Sequence, residues 1–370
     1  MELAELIGLR PVPCGGLMVT LTRRCPLSCA HCSTNSSMQA AECPDPEQLR
    51  RFVASFDARN RPEVVLLTGG EPLLLPELAA RLAAEARTAG TRTALLSGMF
   101  FARDGRVPAR ILRAITALDH FSASLDVHHE REVPRAAVLR ALRTVLDTGI
   151  PVSVHLTGAG PDDPYLASAV TDIRRTFADR VPMLVNELRP LGRGAGLMRQ
   201  KPVSAAAGAA SGAVSSSDSA AAPCALAAWP VVAFDGTVVA CCNQATVDRR
   251  PVPAHLRLGH IADDDWPTVR ARSLASPVLR LVRAAGPQRL RARHTPAAAP
   301  TGYCTDCRAL ADSPEVLTAA AREAGGPVGA LLDGLAAQQQ RAEGPVALVR
   351  RLGCARYAEL VALEAPGSGR

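Results

Sequence analysis

Lysine is almost missing from this chain. Lys201 is the sole one, so the formal charge of +7 and the pI near 9.0 rest on arginine. The arginines are scattered, and aromatic residues make up only 3% of the chain, too few for the stacking platforms that hold single-stranded nucleic acid. With so much alanine, the arginine excess reads as the bias of a GC-rich genome, and a nucleic-acid partner is not expected. No apolar stretch reaches the roughly 18 residues that a membrane span requires. The opening Met1-Glu-Leu-Ala-Glu-Leu6 lacks the basic start of a secretory signal. These absences predict a cytoplasmic protein with no membrane partner. Disulfides are disfavoured too: eleven cysteines is an odd number, and Cys241 and Cys242 are adjacent, a pair that strains to bridge. Cysteines in a reducing compartment read as metal ligands.

Their spacing supports that reading. Cys25-Pro-Leu-Ser-Cys29-Ala-His-Cys32 has the pattern C-x3-C-x2-C. Three thiolates on one short loop can hold three irons of a 4Fe–4S cube and leave the fourth iron open to a ligand. The alternative is structural zinc, which takes four tetrahedral ligands and usually two C-x2-C pairs. His31 is the only nearby fourth ligand, and it sits between two cysteines on a tight loop. A second motif follows: the apolar run Glu63-Val-Val-Leu-Leu67 reads as a buried strand and enters Thr68-Gly69-Gly70-Glu71-Pro72. Glycines permit close approach of a ligand to the backbone, and Pro72 fixes the exit of the turn.

The two motifs together resemble the radical S-adenosylmethionine (SAM) enzymes. The resemblance implies that Cys25, Cys29 and Cys32 hold a 4Fe–4S cluster whose free iron chelates SAM. It implies reductive cleavage of SAM to a 5′-deoxyadenosyl radical, which abstracts a substrate hydrogen. Gly69, Gly70, Glu71 and Pro72 would meet the methionine end of SAM, with Glu71 accepting from its ammonium. Ser124 and Asp126, which share one strand face by period two, would meet its carboxylate or ribose, with Ser122 and His128-His129-Glu130 nearby.

Strand and helix signals alternate through residues 1–200. Strands are expected at Leu17–Thr22, Glu63–Leu67, Thr93–Ser97, His120–Leu125, Val152–Leu156 and Met183–Leu188, with helices between them. The expected fold is α/β: a partial (β/α)6 TIM-like barrel of radical SAM type, with its ligand site at the carboxyl ends of the strands. Residues 201–223, rich in Ala, Ser and Gly, read as a flexible linker that separates two cores. Residues 224–310 read as a small α+β module, and 311–370 as helices.

The module contains Val231–Ala240, a hairpin signal around Asp235-Gly236, and the cysteines Cys224, Cys241 and Cys304-Thr-Asp-Cys307. This order resembles the start of a SPASM or twitch extension, truncated because only Cys354 follows. The resemblance implies one auxiliary 4Fe–4S cluster on Cys224, Cys241, Cys304 and Cys307, with Cys242 competing for the place of Cys241. A zinc ribbon also fits these four cysteines. Roles for Cys14, Cys43 and Cys354 are not legible.

His31 reads as a residue packed beside the cluster, and His155 as a strand histidine facing either core or barrel. Arg193, in the Pro190-Leu-Gly-Arg193 segment, is a candidate cofactor contact by resemblance. Glu187 and Arg189 could face substrate or the surface, and Asn243 and Gln244 could touch substrate. Three functions remain. The first is a radical SAM oxidoreductase modifying a peptide in a natural-product pathway. The second applies the same chemistry to a small polar metabolite such as an amino-sugar alcohol. The third is a non-catalytic zinc or iron–sulfur protein. The first two require an external flavodoxin- or ferredoxin-type electron donor. Only sixteen residues precede Leu17, so a leader-peptide-binding domain is expected on a separate protein.

Overall fold

The computed structural model describes residues 1–200, 221–294 and 302–363. The strands β1 (Gly16–Thr20), β2 (Val64–Thr68), β3 (Arg92–Ser97), β4 (His120–Leu125), β5 (Val152–Gly158) and β6 (Met183–Glu187) pair in sequence, all parallel. Five helices cross over between them: Pro46–Ala54, Pro76–Thr88, Ala109–Thr116, Arg135–Leu146 and Pro164–Phe177. The expected partial barrel is therefore present, with strand boundaries shifted by at most two residues. Three of these helices begin with proline in the first turn, where its missing N–H costs nothing. Two of the three are capped by an aspartate: Asp45 accepts from Gln48 N, and Asp163 from Tyr165 N.

Strand side chains divide by period two. Leu17, Val19, Val65, Leu67, Leu95, Phe121, Ala123, Val154 and Val185 pack outward on the helices in the main core. Val64, Ala94 and the half-buried Met18, Leu66 and Leu184 face inward. At the amino end the inner face is plugged by Leu3 and Leu6 of the first helix, by Trp229, and by Val349, Ala358 and Val361 of the C-terminal helices. Gly16 makes room for that plug, because a Cβ there would lie 2.5 Å from the Trp229 indole. The carboxyl half of the inner face is left open. Strands β2 to β6 each show a half-buried inward position there, among them Thr68, Leu96, Ser124, His155, Thr157 and Asn186.

The cysteine module is built into the barrel sheet. The expected hairpin forms as β7 (Val231–Val232) and β8 (Thr237–Val239), joined to β9 (Arg257–His260). However, β7 also pairs in parallel with β1, giving one nine-stranded sheet in the order β6-β5-β4-β3-β2-β1-β7-β8-β9. An open barrel exposes the free edge of β1, and pairing with β7 satisfies it. Val232, Val238, Leu256 and Trp266 share the main core with Phe52 and Phe56, and Trp266 Nε1 donates to Asn60 O at 2.5 Å. The expectation of two separate cores is thus corrected. Residues 201–220 of the expected linker lie outside the described residues. The C-terminal region is helical, as its sequence indicates. No helix among the described residues is long and apolar enough to cross a membrane.

Candidate active site

Cys25, Cys29 and Cys32 lie on the loop after β1, at the carboxyl end of the barrel. Burial, together with the charges of Glu71, Cys29 and Cys32, pushes the Cys25 thiol up to about 12. Burial also raises Cys32, but hydrogen bonds from Thr34 (3.2 Å to its hydroxyl) and Ser36 outweigh it and hold the thiol below its ordinary value. Three thiols on one half-buried loop fit an iron–sulfur cluster, which takes them as thiolates.

The glycines of the second motif serve this loop directly. Gly69 N-terminal to Gly70 has φ +137, and a Cβ on it would lie 2.5 Å from Thr22 O. A Cβ on Gly70 would lie 2.6 Å from Arg23 O and closer still to Arg24 O. Gly70 N donates to Thr22 O (2.7 Å) and Glu71 N to Arg24 O (2.9 Å). The close approach that these glycines allow is therefore to residues 22–24, which lead into Cys25.

Glu71 differs from its expected role. Its carboxylate is fully buried and accepts from Leu73 N (3.0 Å), Ser97 Oγ (3.0 and 3.1 Å) and Gly98 N (2.9 Å). It caps the short 3-10 turn Pro72–Leu74 and ties β2 to β3. Burial raises its pKa to about 7 despite those bonds. A group so enclosed leaves the backbone of the turn, not the side chain, to meet a ligand ammonium.

Arg193 also differs. Its Nε donates to Cys29 O (3.0 Å), its Nη1 to Ser36 O (2.7 Å), and its N–H to Cys32 O (2.9 Å). It clamps the cysteine loop from the segment after β6. Gly192, at φ +53, lets that segment touch the loop, because a Cβ there would meet the Cys32 and Ser33 carbonyls well under 3 Å away.

Asp126, just past β4, is buried and fully engaged. Oδ1 accepts from His128 N (2.8 Å) and His129 N (3.1 Å), and Oδ2 accepts from His31 Nε2 (3.0 Å) and from His129 Nδ1. Burial opposes its ionisation, but the His129 and His31 bonds win and hold it well below the usual carboxylate range. His129 is raised to about 10, because its bonds to Asp126 and Cys29 outweigh desolvation. His31 also stacks on His128 at 4.9 Å. Residue type and spacing alone left this array unread, although a strand-end Asp with His three residues on and His31 inside the cysteine motif was a signal for it.

Ser124 alone of the β4 candidates stays half-buried on the open inner face. His155 lies across from it in register and also faces inward. Its Nε2 has no partner, and burial lowers its pKa to about 4. Deeper in, His120 Nε2, Ser153 and Ser122 form a closed hydrogen-bonded chain at 2.9 Å per link. The last inward-facing residues of β1 to β6 are Thr20, Thr68, Leu96, Ser124, Thr157 and Asn186, none of them charged.

The second cysteine set also converges. Cys224, Cys241, Cys304 and Cys307 line one small cavity with Leu226, Ala227, Thr246, Leu256 and Tyr303. Burial and mutual charge push Cys224 up to about 11 and raise Cys241 and Cys307. Four thiols with apolar walls fit a metal cluster, which removes the repulsion. Cys242 does not line this cavity; its Sγ receives Arg10 Nη2 at 3.2 Å. Arg10 stacks over Trp229 at 4.3 Å and reaches Met18 of the inner barrel face, which puts the module against the lumen. Asn243 caps Gln244–Val247 and donates to Cys304 Sγ at 3.6 Å. The remaining cysteines are isolated: Cys14 and Cys354 are buried, and Cys43 donates to Leu21 O. Glu187 lies beside Cys354, and Arg189 donates to Leu352 O.

Residues 19–166 match the family described as the radical SAM superfamily. The chain is 36% identical over 135 residues to a GTP 3′,8-cyclase of Synechococcus sp. (strain CC9902), a match covering 35% of this chain and 36% of that protein. It thus spans about a third of that relative's length. Two crystal structures of Streptococcus suis SuiB, one bound to S-adenosylmethionine, align with a TM-score of 0.48 at 10% identity. They cover 70% of this chain and 65% and 66% of SuiB. SuiB bound to its precursor peptide SuiA aligns at a TM-score of 0.38 and 11% identity, over 50% of this chain and 42% of SuiB.

Proposed function

We propose that this protein is a radical SAM oxidoreductase with two iron–sulfur sites that acts on an uncharged portion of a peptide, in natural-product maturation. One observation supports the reading: the chain carries two cysteine sets, Cys25, Cys29 and Cys32 on the loop after β1 and Cys224, Cys241, Cys304 and Cys307 around one small cavity, beside a barrel whose last inward strand residues are uncharged. When bound at Cys25, Cys29 and Cys32, a 4Fe–4S cluster with SAM supplies hydrogen-atom abstraction. The protein's own residues supply the rest. Arg193 and the Gly69-Gly70 turn hold the loop at the mouth of the barrel. The backbone of that turn and Ser124 would receive SAM. The rim hydroxyls and Asn186 orient a neutral substrate, and the unpartnered His155 Nε2 offers it one hydrogen bond. The apolar plug of Leu3, Leu6 and Trp229 keeps water from the lumen floor.

An auxiliary cluster on Cys224, Cys241, Cys304 and Cys307 would be the electron acceptor that makes the net reaction an oxidation. An external flavodoxin- or ferredoxin-type donor would reduce the first site. The neutral hydroxyl and amide rim also suits a small polyol, which keeps a second reading on a metabolite such as an amino-sugar alcohol.

The test is anaerobic incubation of the reconstituted, reduced protein with SAM, assayed for 5′-deoxyadenosine. Formation by the wild type and none by the Cys25→Ala/Cys29→Ala/Cys32→Ala variant is expected. Equal formation by both would overturn the reading. Adding a neutral-residue peptide or an amino-sugar alcohol, with a two-hydrogen mass loss as readout, separates the two substrate classes.

A further inference from the structure

We infer that Asp126 and His31 are positioning residues for the cluster loop: one hydrogen bond between them ties the interior of the cysteine motif to the end of β4. The inference rests on the reading of Cys25, Cys29 and Cys32 as a cluster loop. His31 lies between Cys29 and Cys32, so whatever orients its ring orients the segment joining two ligands. Its Nδ1 is buried without a partner, and its Nε2 bonds Asp126 Oδ2 at 3.0 Å. The ring is thus held by that bond and by its stack on His128.

Asp126 is itself rigidly placed. Its Oδ1 closes the turn through the His128 and His129 amides, and His129 shares Oδ2 from the other side. The three ligand atoms of His31, Asp126 and His129 converge as they would around a metal ion. Yet His129 Nδ1 bonds Oδ2, His31 Nε2 lies within hydrogen-bond distance of the same oxygen, and the carboxylate has no lone-pair position left over. The array is therefore read as a hydrogen-bonded brace, which sets ligand orientation as outer-shell partners do at metal sites. It also joins the loop to the strand that carries Ser124, so loop and lumen share one frame.

Two substitutions of His31 separate the bond from the stack. Glutamine places an amide N–H near the former Nε2 and keeps the bond without an aromatic ring. Phenylalanine keeps the ring and the stack but has no N–H. Both are made in full-length protein carrying Cys304→Ala and Cys307→Ala, so that only the first site holds iron. Each protein is reconstituted anaerobically and reduced. The readouts are iron per chain, the paramagnetic resonance spectrum, and its change on adding SAM.

His31→Gln is expected to keep the parent spectrum and its response to SAM. His31→Phe is expected to lose at least half of the spin intensity or to show no SAM response. Asp126→Asn, checked for an unchanged thermal melt, is expected to follow His31→Phe. The inference is overturned if His31→Phe matches the parent while His31→Gln does not, or if both match it. Zinc binding at one per chain by a Cys25→Ala/Cys29→Ala/Cys32→Ala protein, lost on Asp126→Asn, would also overturn it, since the array would then be a metal site. A parent that holds no iron would instead refute the cluster-loop reading itself.

Discussion

The tightest coupling between the two N-terminal motifs is at Gly70, and Gly70→Ala should break it. A Cβ there would sit 2.6 Å from Arg23 O and nearer still to Arg24 O. An ordinary carbon–oxygen contact is roughly 3.3 Å, so the loop must withdraw by most of an ångström. That withdrawal strains two bonds, Gly70 N to Thr22 O at 2.7 Å and Glu71 N to Arg24 O at 2.9 Å. Losing both costs about 1–3 kcal/mol, and backbone overpacking adds about 1–3 kcal/mol. The sum, about 2–6 kcal/mol, is a large part of an ordinary domain's stability. It falls on residues 22–24, directly before Cys25. The variant should melt about 5–10 °C below wild type and lose iron from the first site while the second keeps its complement. Gly196→Ala is the control, because a Cβ there meets nothing within 4 Å. If Gly70→Ala retains full iron and melts with wild type, the two motifs do not brace each other as described.

Four further outcomes follow from the geometry. Cys241→Ala should remove about four irons and Cys242→Ala none, because only the former lines the second cavity; equal loss on analysis would make Cys242 a ligand. Arg193→Ala should free the Cys29 and Ser36 carbonyls, costing about 3–6 kcal/mol for two charge-assisted bonds, and speed amide exchange across residues 25–37; unchanged exchange would remove the clamp. Arg283 and Asp333 form a buried ion pair at 2.6 Å, so Arg283→Met alone should cost about 3–5 kcal/mol and Arg283→Met/Asp333→Leu much less; additive losses in denaturant melts would contradict this. His120 and His155 are both held near pKa 4, below the ordinary 6.5. Their unfolded forms therefore bind protons first, so stability is present above about pH 6.5 and falls as pH drops toward 4. A His120→Gln/His155→Gln protein should show a flatter limb in that window, and an unchanged melting profile would refute it.

Periodicity made the barrel legible, because six apolar strands with helices between them bury one face each, and that pattern survives translation into the sheet. Metal-ligand spacing did the same for the cysteines in part: Cys25, Cys29 and Cys32 share one loop at the carboxyl end of the barrel, and Cys224, Cys241, Cys304 and Cys307 line one small cavity. The roles of single polar residues did not follow so directly. Glu71, Arg193 and Asp126 were each expected to face SAM, and each is engaged by the protein instead, by Ser97 and Gly98, by loop carbonyls, and by two imidazoles. Spacing places such residues near a ligand; it does not reveal which protein groups claim their hydrogen bonds first. The parallel pairing of β7 with β1 was equally hidden, because a two-residue strand carries no period, and the need for it arises only once the barrel is seen to be open.

The central claim is that the fold builds two separate iron–sulfur sites, and metal analysis tests it most directly. Anaerobically reconstituted wild-type protein should hold about eight irons and eight sulfides per chain, four of each per cube. The Cys25→Ala/Cys29→Ala/Cys32→Ala variant should hold about four of each. A wild-type protein that takes up zinc and no sulfide would contradict the account.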